Sequence, residues 1–212
     1  MIQFKNVSLS YGSKEILRRF SLDIREGEKA AVLGKSGLGK TSLFYLLLGF
    51  VPAQEGSIFF DGVPVNEKTV WDVRKKTAFV DQDVSIRQGK AMEWIRSAFE
   101  FKANAGRRFS SDRLEALLDY FELSADNLEK ENRDLSGGER QRVALITAVL
   151  LGRRVFLLDE VTSALDTRLK KKTVEFFLRE DDWTVLAISH DPAWVDHPKV
   201  RTIDLEELRW RR

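Results

Sequence analysis

One run of eight residues, Gly34-Lys35-Ser36-Gly37-Leu38-Gly39-Lys40-Thr41, constrains this chain more than any other, because it fits G-x-x-x-x-G-K-[ST]. It follows the apolar run Lys29-Ala30-Ala31-Val32-Leu33 and precedes the helix-like stretch Thr41 to Gly49. Glycines let successive backbone N–H groups turn inward around an anion. A helix that starts there aims its positive dipole end at the same point. In such a loop Lys40 reaches the β- and γ-phosphates and the Thr41 hydroxyl ligates Mg²⁺. Residues Gly34 to Thr41, with Ser42 beside them, are therefore candidate nucleotide-binding residues. Chance produces the pattern in roughly 1% of chains this long, and here it also has the required strand-to-helix setting. By itself it does not choose among kinases, GTPases and ATPases.

The rest of the chain reads as an α/β arrangement. Ile2, Phe4, Val7 and Leu9 alternate as in an antiparallel strand, and Ile16 to Ile24 suggests its partner. Ile58-Phe59-Phe60 followed by Asp61-Gly62 predicts a strand and a turn. Thr77 to Val80, Val155 to Leu158 and Val185 to Ile188 are short continuous apolar runs. Such strands with helical segments between them indicate a parallel sheet covered on both faces. From about Ser85 to Glu131 the pattern changes. Trp94, Ile95, Ala98 and Phe99, then Leu114, Leu117, Leu118 and Phe121, recur at helical spacing. This predicts a helical part inserted into the α/β core.

Composition removes several function classes. The 212 residues carry 35 Lys+Arg against 33 Asp+Glu, a net charge of +2, which argues against bulk electrostatic binding to nucleic acid. With no cysteine, disulfide scaffolds, thiolate zinc sites and cysteine nucleophiles are excluded. The longest apolar stretches, Leu43 to Val51 and Val143 to Leu151, are each about half of what a membrane span needs. No basic head followed by a long apolar run opens the chain, so no signal peptide is expected. These features predict a soluble, intracellular protein without direct membrane insertion.

A second chemical feature lies at Val155-Phe156-Leu157-Leu158-Asp159-Glu160. A buried strand ending in two carboxylates delivers them beside the phosphate loop of an α/β fold. Neighbouring strand residues point to opposite faces, so the two acids can do different work. Asp159 is placed to hold the Mg²⁺ shell and Glu160 to polarise an attacking water. Ahead of this strand stands Leu135-Ser136-Gly137-Gly138-Glu139. Alone it would be a turn and a helix cap, with Ser136 and Glu139 as a capping box. It lies 23 residues before Asp159, and with that placement the sequence resembles the nucleotide-binding subunit of ATP-binding cassette (ABC) transporters.

The resemblance runs from about Ile2 to Leu205 and implies roles for further residues. Tyr11 matches the aromatic that stacks on adenine, though it also suits a strand-edge aromatic packed on the core. Gln82 matches the glutamine that contacts Mg²⁺ and the attacking water, joining Thr41 and Asp159 as metal residues. Ser163-Ala164-Leu165-Asp166 matches the loop that crosses the dimer interface, and His190 the switch histidine near the γ-phosphate. Glu160, His190 and Gln82 are then the catalytic set. Two departures stand out. Val161 replaces the proline usual after the catalytic glutamate, and Ala144-Leu145-Ile146-Thr147-Ala148 lacks the usual arginine. They put loop stiffness near Glu160 and contacts of the signature helix in question. His197 fits no motif.

The implied fold is a P-loop NTPase (RecA-like) core with an N-terminal antiparallel β subdomain and an inserted α-helical subdomain. It forms a single cassette over 1–212, with the core at about 1–84 and 150–212 and the helical subdomain at about 85–149. The implied function is that of an ATPase using ATP and Mg²⁺ to drive transport through separate transmembrane permease subunits. Two ATP molecules would be sandwiched in a dimer, each between one phosphate loop and the signature of the other copy, Leu135 to Glu139. A cytoplasmic helix of the permease would dock near Val84 to Phe101, placing the protein on the cytoplasmic face of the membrane. The alternative is an ATP-driven regulatory or mechanical module of a membrane complex, as in cell-division ABC proteins. The spacing argues against a chromosome-type ABC ATPase: Lys40 and Ser136 are only 96 residues apart, with no sustained heptads between them.

Overall fold

The structure, a computed structural model, describes residues 1–84 and 88–208. Residues 85–87, where the helical part is expected to begin, lie outside the described residues. The chain opens with β1 (Ile2–Tyr11) and β2 (Lys14–Ile24), paired antiparallel with Ile2 opposite Ile24 and Phe4 opposite Leu22. β4 (Glu55–Phe60) and β5 (Val63–Pro64) extend this sheet in the order β2-β1-β4-β5. Between them come β3 (Lys29–Leu33) and α1 (Lys40–Leu47), which flank the glycine loop as the sequence predicts.

The second sheet is parallel, ordered β6-β7-β8-β3-β9, with β6 at Thr77–Val80, β7 at Val155–Asp159, β8 at Thr184–Ile188 and β9 at Val200–Asp204. Its residues alternate strictly between two cores, the geometric result of a period-two side-chain pattern. Ala30, Val32, Val155, Leu157, Leu186 and Ile188 pack with α1 and the antiparallel sheet. Ala31, Phe156, Leu158, Val185 and Ala187 pack with the helices on the other face. Fully burying one such large side chain contributes about 1.5–3 kcal/mol, so both faces hold the sheet in place.

The remaining helices are α2 (Val70–Lys76), α3 (Ala91–Glu100), α4 (Ser111–Phe121), α5 (Ala125–Glu129), α6 (Gly137–Leu150), α7 (Thr167–Leu178), α8 (Pro192–Val195) and α9 (Leu205–Leu208). α3, α4 and α6 bury Ile95, Leu114, Leu117, Leu118, Phe121 and Val143 in the same core as Phe156 and Phe176. The helical part therefore shares its core with one face of the parallel sheet. Ile95 is a core residue, whereas Trp94 and Phe99 are only partly buried against that core.

α2 and β9 escape the sequence reading. α2 is only seven residues long and buries just Val70 and Val73, too short to show a helical period. β9 buries only Ile203 and reads Val-Arg-Thr-Ile-Asp, with no continuous apolar run.

Candidate nucleotide site at the end of the parallel sheet

All five parallel strands end at one edge, so their C-terminal loops meet there. β3 leads into the phosphate loop, β7 into Asp159-Glu160, β8 into Ser189-His190 and β6 into Asp81-Gln82. The pairing of Val80 with Leu158 and of Asp159 with Ile188 sets the last three side by side.

The loop has the backbone its glycines are needed for. Gly34, Gly37 and Gly39 have φ of +142°, +76° and +90°, values that L side chains rarely adopt. A Cβ on Gly39 would also overlap Ile16 Cγ2. No side chain caps α1, so its first-turn amides, which no helix can satisfy internally, open onto the loop. Lys40 is buried, and its Nζ donates to Gly34 O at 2.6 Å and Lys35 O at 3.2 Å. Lys14 Nζ donates to Gly37 O at 3.1 Å, tying the start of β2 to the loop. Ser36 and Leu38 complete the turn, which is closed by Leu38 N donating to Lys35 O at 3.3 Å. Lys35 pairs with Glu206 of α9 at 3.4 Å.

The structure brings four of the expected residues into direct contact. Thr41 Oγ1 donates to Asp159 Oδ2 at 2.6 Å, and Lys40 Nζ lies 3.2 Å from His190 Nε2. Asp159 is 1% exposed. Burial pushes its carboxyl up to about 6, reinforced by the charges of Asp81 and Glu160 and opposed by the Thr41 hydrogen bond and Lys40. A hydroxyl and a carboxylate side by side are hard oxygen donors suited to Mg²⁺. Among the described residues no cluster of three or more His, Cys, Asp or Glu could hold a metal by itself. A cation here would thus share its shell with phosphate oxygens and water, as Mg²⁺ usually does.

Glu160 stands at φ +45°, a conformation that costs a non-glycine residue about 1–3 kcal/mol and that clusters at functional sites. Its amide donates to Ile188 O at 2.9 Å, and its carbonyl accepts from Ser163 N at 3.0 Å. Val161 is fully buried in the helical-face core. Apolar burial therefore anchors the segment in which proline was expected. Thr147, in the run that lacks the arginine, satisfies its hydroxyl within α6 by donating to Val143 O at 2.8 Å.

Other expected residues sit nearby without joining this contact set. Tyr11 ends β1 with 45% exposure, its OH 3.3 Å from Ser42 Oγ. Its ring is thus not core packing. Gln82 is exposed after β6 and makes no side-chain hydrogen bond among the described residues. Ser136 caps α6: its Oγ accepts from Glu139 N at 3.2 Å, and Glu139 Oε2 accepts from Ser136 N at 2.6 Å. The hydrogen bond from the Ser136 backbone is the main reason the Glu139 carboxyl falls to about 2. Leu135 is buried. Gly137 and Gly138 lie against Ala164, where a Cβ on Gly138 would come within 2.8 Å of Ala164 O. Leu165 is buried, Ser163 and Ala164 are exposed, and Asp166 caps α7 by accepting from Arg168 N and Leu169 N at 2.9 Å. His197 accepts from Lys199 N and pairs with Glu175 at 3.4 Å, away from the site.

Sequence reasoning missed two features. One is Asp81, whose charge reaches Asp159; its place immediately before Gln82 was the available signal. The other is the Lys170–Asp191 pair at 3.1 Å, which joins α7 to the segment after His190. That pairing leaves no trace in sequence.

Known proteins resemble this chain in sequence and in fold. A family model described as ABC transporter matches residues 17–163. The energy-coupling factor transporter ATP-binding protein EcfA1 of Oceanobacillus iheyensis is 32% identical over 198 residues, covering 90% of this chain and 70% of that protein. The ATP-dependent lipid A-core flippase of Haemophilus influenzae is 32% identical over 219 residues, covering 99% of this chain and 37% of the flippase. The chain thus spans just over a third of that relative's length. The dimeric post-hydrolysis structure of the ATP-binding cassette MJ0796 bound to ADP and Pi superposes with a TM-score of 0.78 at 26% identity, covering 90% of this chain and 88% of that one.

Proposed function

The chain belongs to the ABC transporter family as an ATP-binding subunit, and on that premise we propose that it hydrolyses ATP in a dimer to drive transport through separate transmembrane subunits. The observation that carries the reading is the joint placement of Lys40, Thr41, Asp159 and His190 at the end of the parallel sheet. In this reading the amides of the phosphate loop and Lys40 bind the ATP phosphates. Thr41 and Asp159, with Gln82 on the adjoining strand end, would hold Mg²⁺, which when bound would offset phosphate charge. Glu160 orients a water whose oxygen attacks the terminal phosphorus as the bond to ADP breaks. His190 fixes the geometry around the transferred group, and Tyr11 packs against the adenine.

A second copy completes the site. The N-terminus of its α6, at Ser136 to Gly138, is a second anion-binding helix end, and the Ser163–Asp166 loop adjoins it. A twofold dimer meets both needs with one self-complementary surface. ATP then favours the closed pair because it contacts both copies, and hydrolysis removes that bridge. The single cassette divides in this reading into a core of about 1–84 and 150–212 and a helical part of about 85–149.

The transmembrane partner is assigned to a groove of about 580 Å³ between the sheet and α3, lined by Phe79, Val84, Trp94, Ala98 and Ala148. Phe50 and Phe101 on its lining are 56% and 53% exposed, an apolar surface that an apolar helix would cover. Among the described residues no helix is long and apolar enough to cross a membrane. Membrane attachment in this reading comes from the partner, at the cytoplasmic face. Phosphate release from Mg-ATP tests the activity: turnover abolished by Lys40→Ala supports it, and turnover independent of Lys40 and Glu160 would exclude it.

A further inference from the structure

The opposite edge of the parallel sheet, where its strands begin, gathers arginines. Arg153 and Arg154 lead into β7, and Asp182 and Trp183 lead into β8. Gly152 stands at the turn after α6 with φ +61°. A Cβ built there would lie 3.5 Å from Arg107 Nη1 and 3.7 Å from Arg113 Nη1, so two guanidinium groups converge on one exposed point. Cavities of about 320 and 530 Å³ adjoin it, and Gly152, Arg153 and Arg154 line both.

Three of the carboxylates on these cavities pair with other cations of the same lining: Asp182 with Arg154 at 3.3 Å, Asp61 with Lys76 at 2.8 Å and Glu180 with Arg179 at 3.3 Å. The remaining one, Glu26, forms no ion pair among the described residues and only adds weakly to the field of Asp61 on Lys76. Arg107, Arg113 and Arg153 have no carboxylate partner among the described residues. Arg107 donates to Leu151 O and Lys75 O, and Arg153 to Thr77 O and Asn104 Oδ1. Those contacts use the C-terminal ends of α6 and α2, each worth roughly half a negative charge. Three guanidinium groups, against the Glu26 carboxylate and about one negative charge from the helix ends, leave an excess of about one. Burial, with Arg107 beside it, holds Arg153 below the ordinary arginine range, at about 10. Arg153 Nε is buried without a hydrogen-bond partner.

The geometry points to a second anion site on this edge, in which Arg107 and Arg113, whose guanidinium groups converge at Gly152, bind a phosphate group, with the inward-turned Arg153 adding its charge from behind. Guanidinium forks match phosphate oxygens in pairs, and the absence of a side chain on Gly152 leaves room for the oxygens to approach. The phosphate can be free in solution or carried as a lipid headgroup. The site is separate from the phosphate loop, which lies at the opposite ends of the same strands.

The test fills the phosphate loop first, with Mg²⁺ and a non-hydrolysable ATP analogue at saturation. Inorganic phosphate is then titrated into the full chain by calorimetry, against a blank of the same Mg²⁺ and nucleotide without protein. One additional site is expected, weakened at least fivefold by Arg113→Gln and less by Arg113→Lys, which keeps the charge. Arg113 is exposed, and an unchanged melting temperature confirms that the variant is folded. A parallel co-sedimentation with phosphatidylcholine vesicles, with and without phosphatidic acid, separates the sources. Retention on the acidic vesicles that Arg113→Gln abolishes assigns a lipid headgroup. Phosphate binding without such retention assigns free phosphate. Absence of both, or binding indifferent to Arg113→Gln, overturns the site.

Discussion

The Thr41 hydroxyl donates to Asp159 Oδ2 across 2.6 Å, joining the first turn of α1 to the last residue of β7. The contact places a charge where water cannot reach it. Burial raises the Asp159 carboxyl from 3.8 to about 6. An acid whose folded value is raised destabilises the fold above its unfolded value, with the full cost present above about pH 6. Asp159→Asn keeps an acceptor for Thr41 and removes the charge. In chelator at pH 8 the variant is expected to be more stable by about 1–3 kcal/mol, by urea unfolding. Its Mg-ATP turnover should fall at least a hundredfold. A variant less stable than the parent would refute this account of Asp159.

Gly39 is held at φ +90° against Ile16. Gly39→Ala must move either the loop or β2, at an expected cost of at least about 2 kcal/mol. For a chain of this size that lowers the melting temperature by about 4–8 °C. Calorimetry reads the loss, and ATP affinity should fall with it.

The Ser136–Glu139 capping box makes a pH-dependent contribution. The Glu139 carboxyl drops from 4.5 to about 2 on folding, so its stabilisation is present above pH 4.5 and is lost as pH falls towards 2. Glu139→Ala is expected to cost about 1 kcal/mol at pH 7. The difference from the parent should vanish near pH 2. Denaturant unfolding at several pH values checks this.

The groove beside α3 makes a prediction about partners. Phe50→Asp with Phe101→Asp places two charges on its lining. Binding of the transmembrane subunit should weaken at least tenfold in pull-down, while ATP affinity stays within twofold. Unchanged binding would move the partner surface elsewhere.

Much of the site was legible in sequence because its residues sit at strand ends, where an apolar run stops and a functional residue begins. Leu158-Asp159, Ile188-Ser189-His190 and Leu33-Gly34 all show this change. Ser136 and Glu139 were legible as a cap because that interaction spans only three residues. What sequence concealed was set by packing between distant segments. The Lys170–Asp191 pair and the arginines around Gly152 join residues from different elements, and no local pattern records such contacts. α2 and β9 are short and half-exposed, so their apolar residues are too few to show a period. The helical insertion was visible from its spacing, but its shared core with Phe156 and Phe176 follows only from the fold.

The central claim is that Glu160 drives hydrolysis within an ATP-closed pair of chains. The most direct measurement is the mass of Glu160→Gln by light scattering, with and without Mg-ATP. The account predicts a monomer without nucleotide and a stable dimer with ATP, while the parent chain turns over and returns to monomer. A Glu160→Gln variant that stays monomeric at saturating ATP, or hydrolyses it at the parental rate, would contradict it.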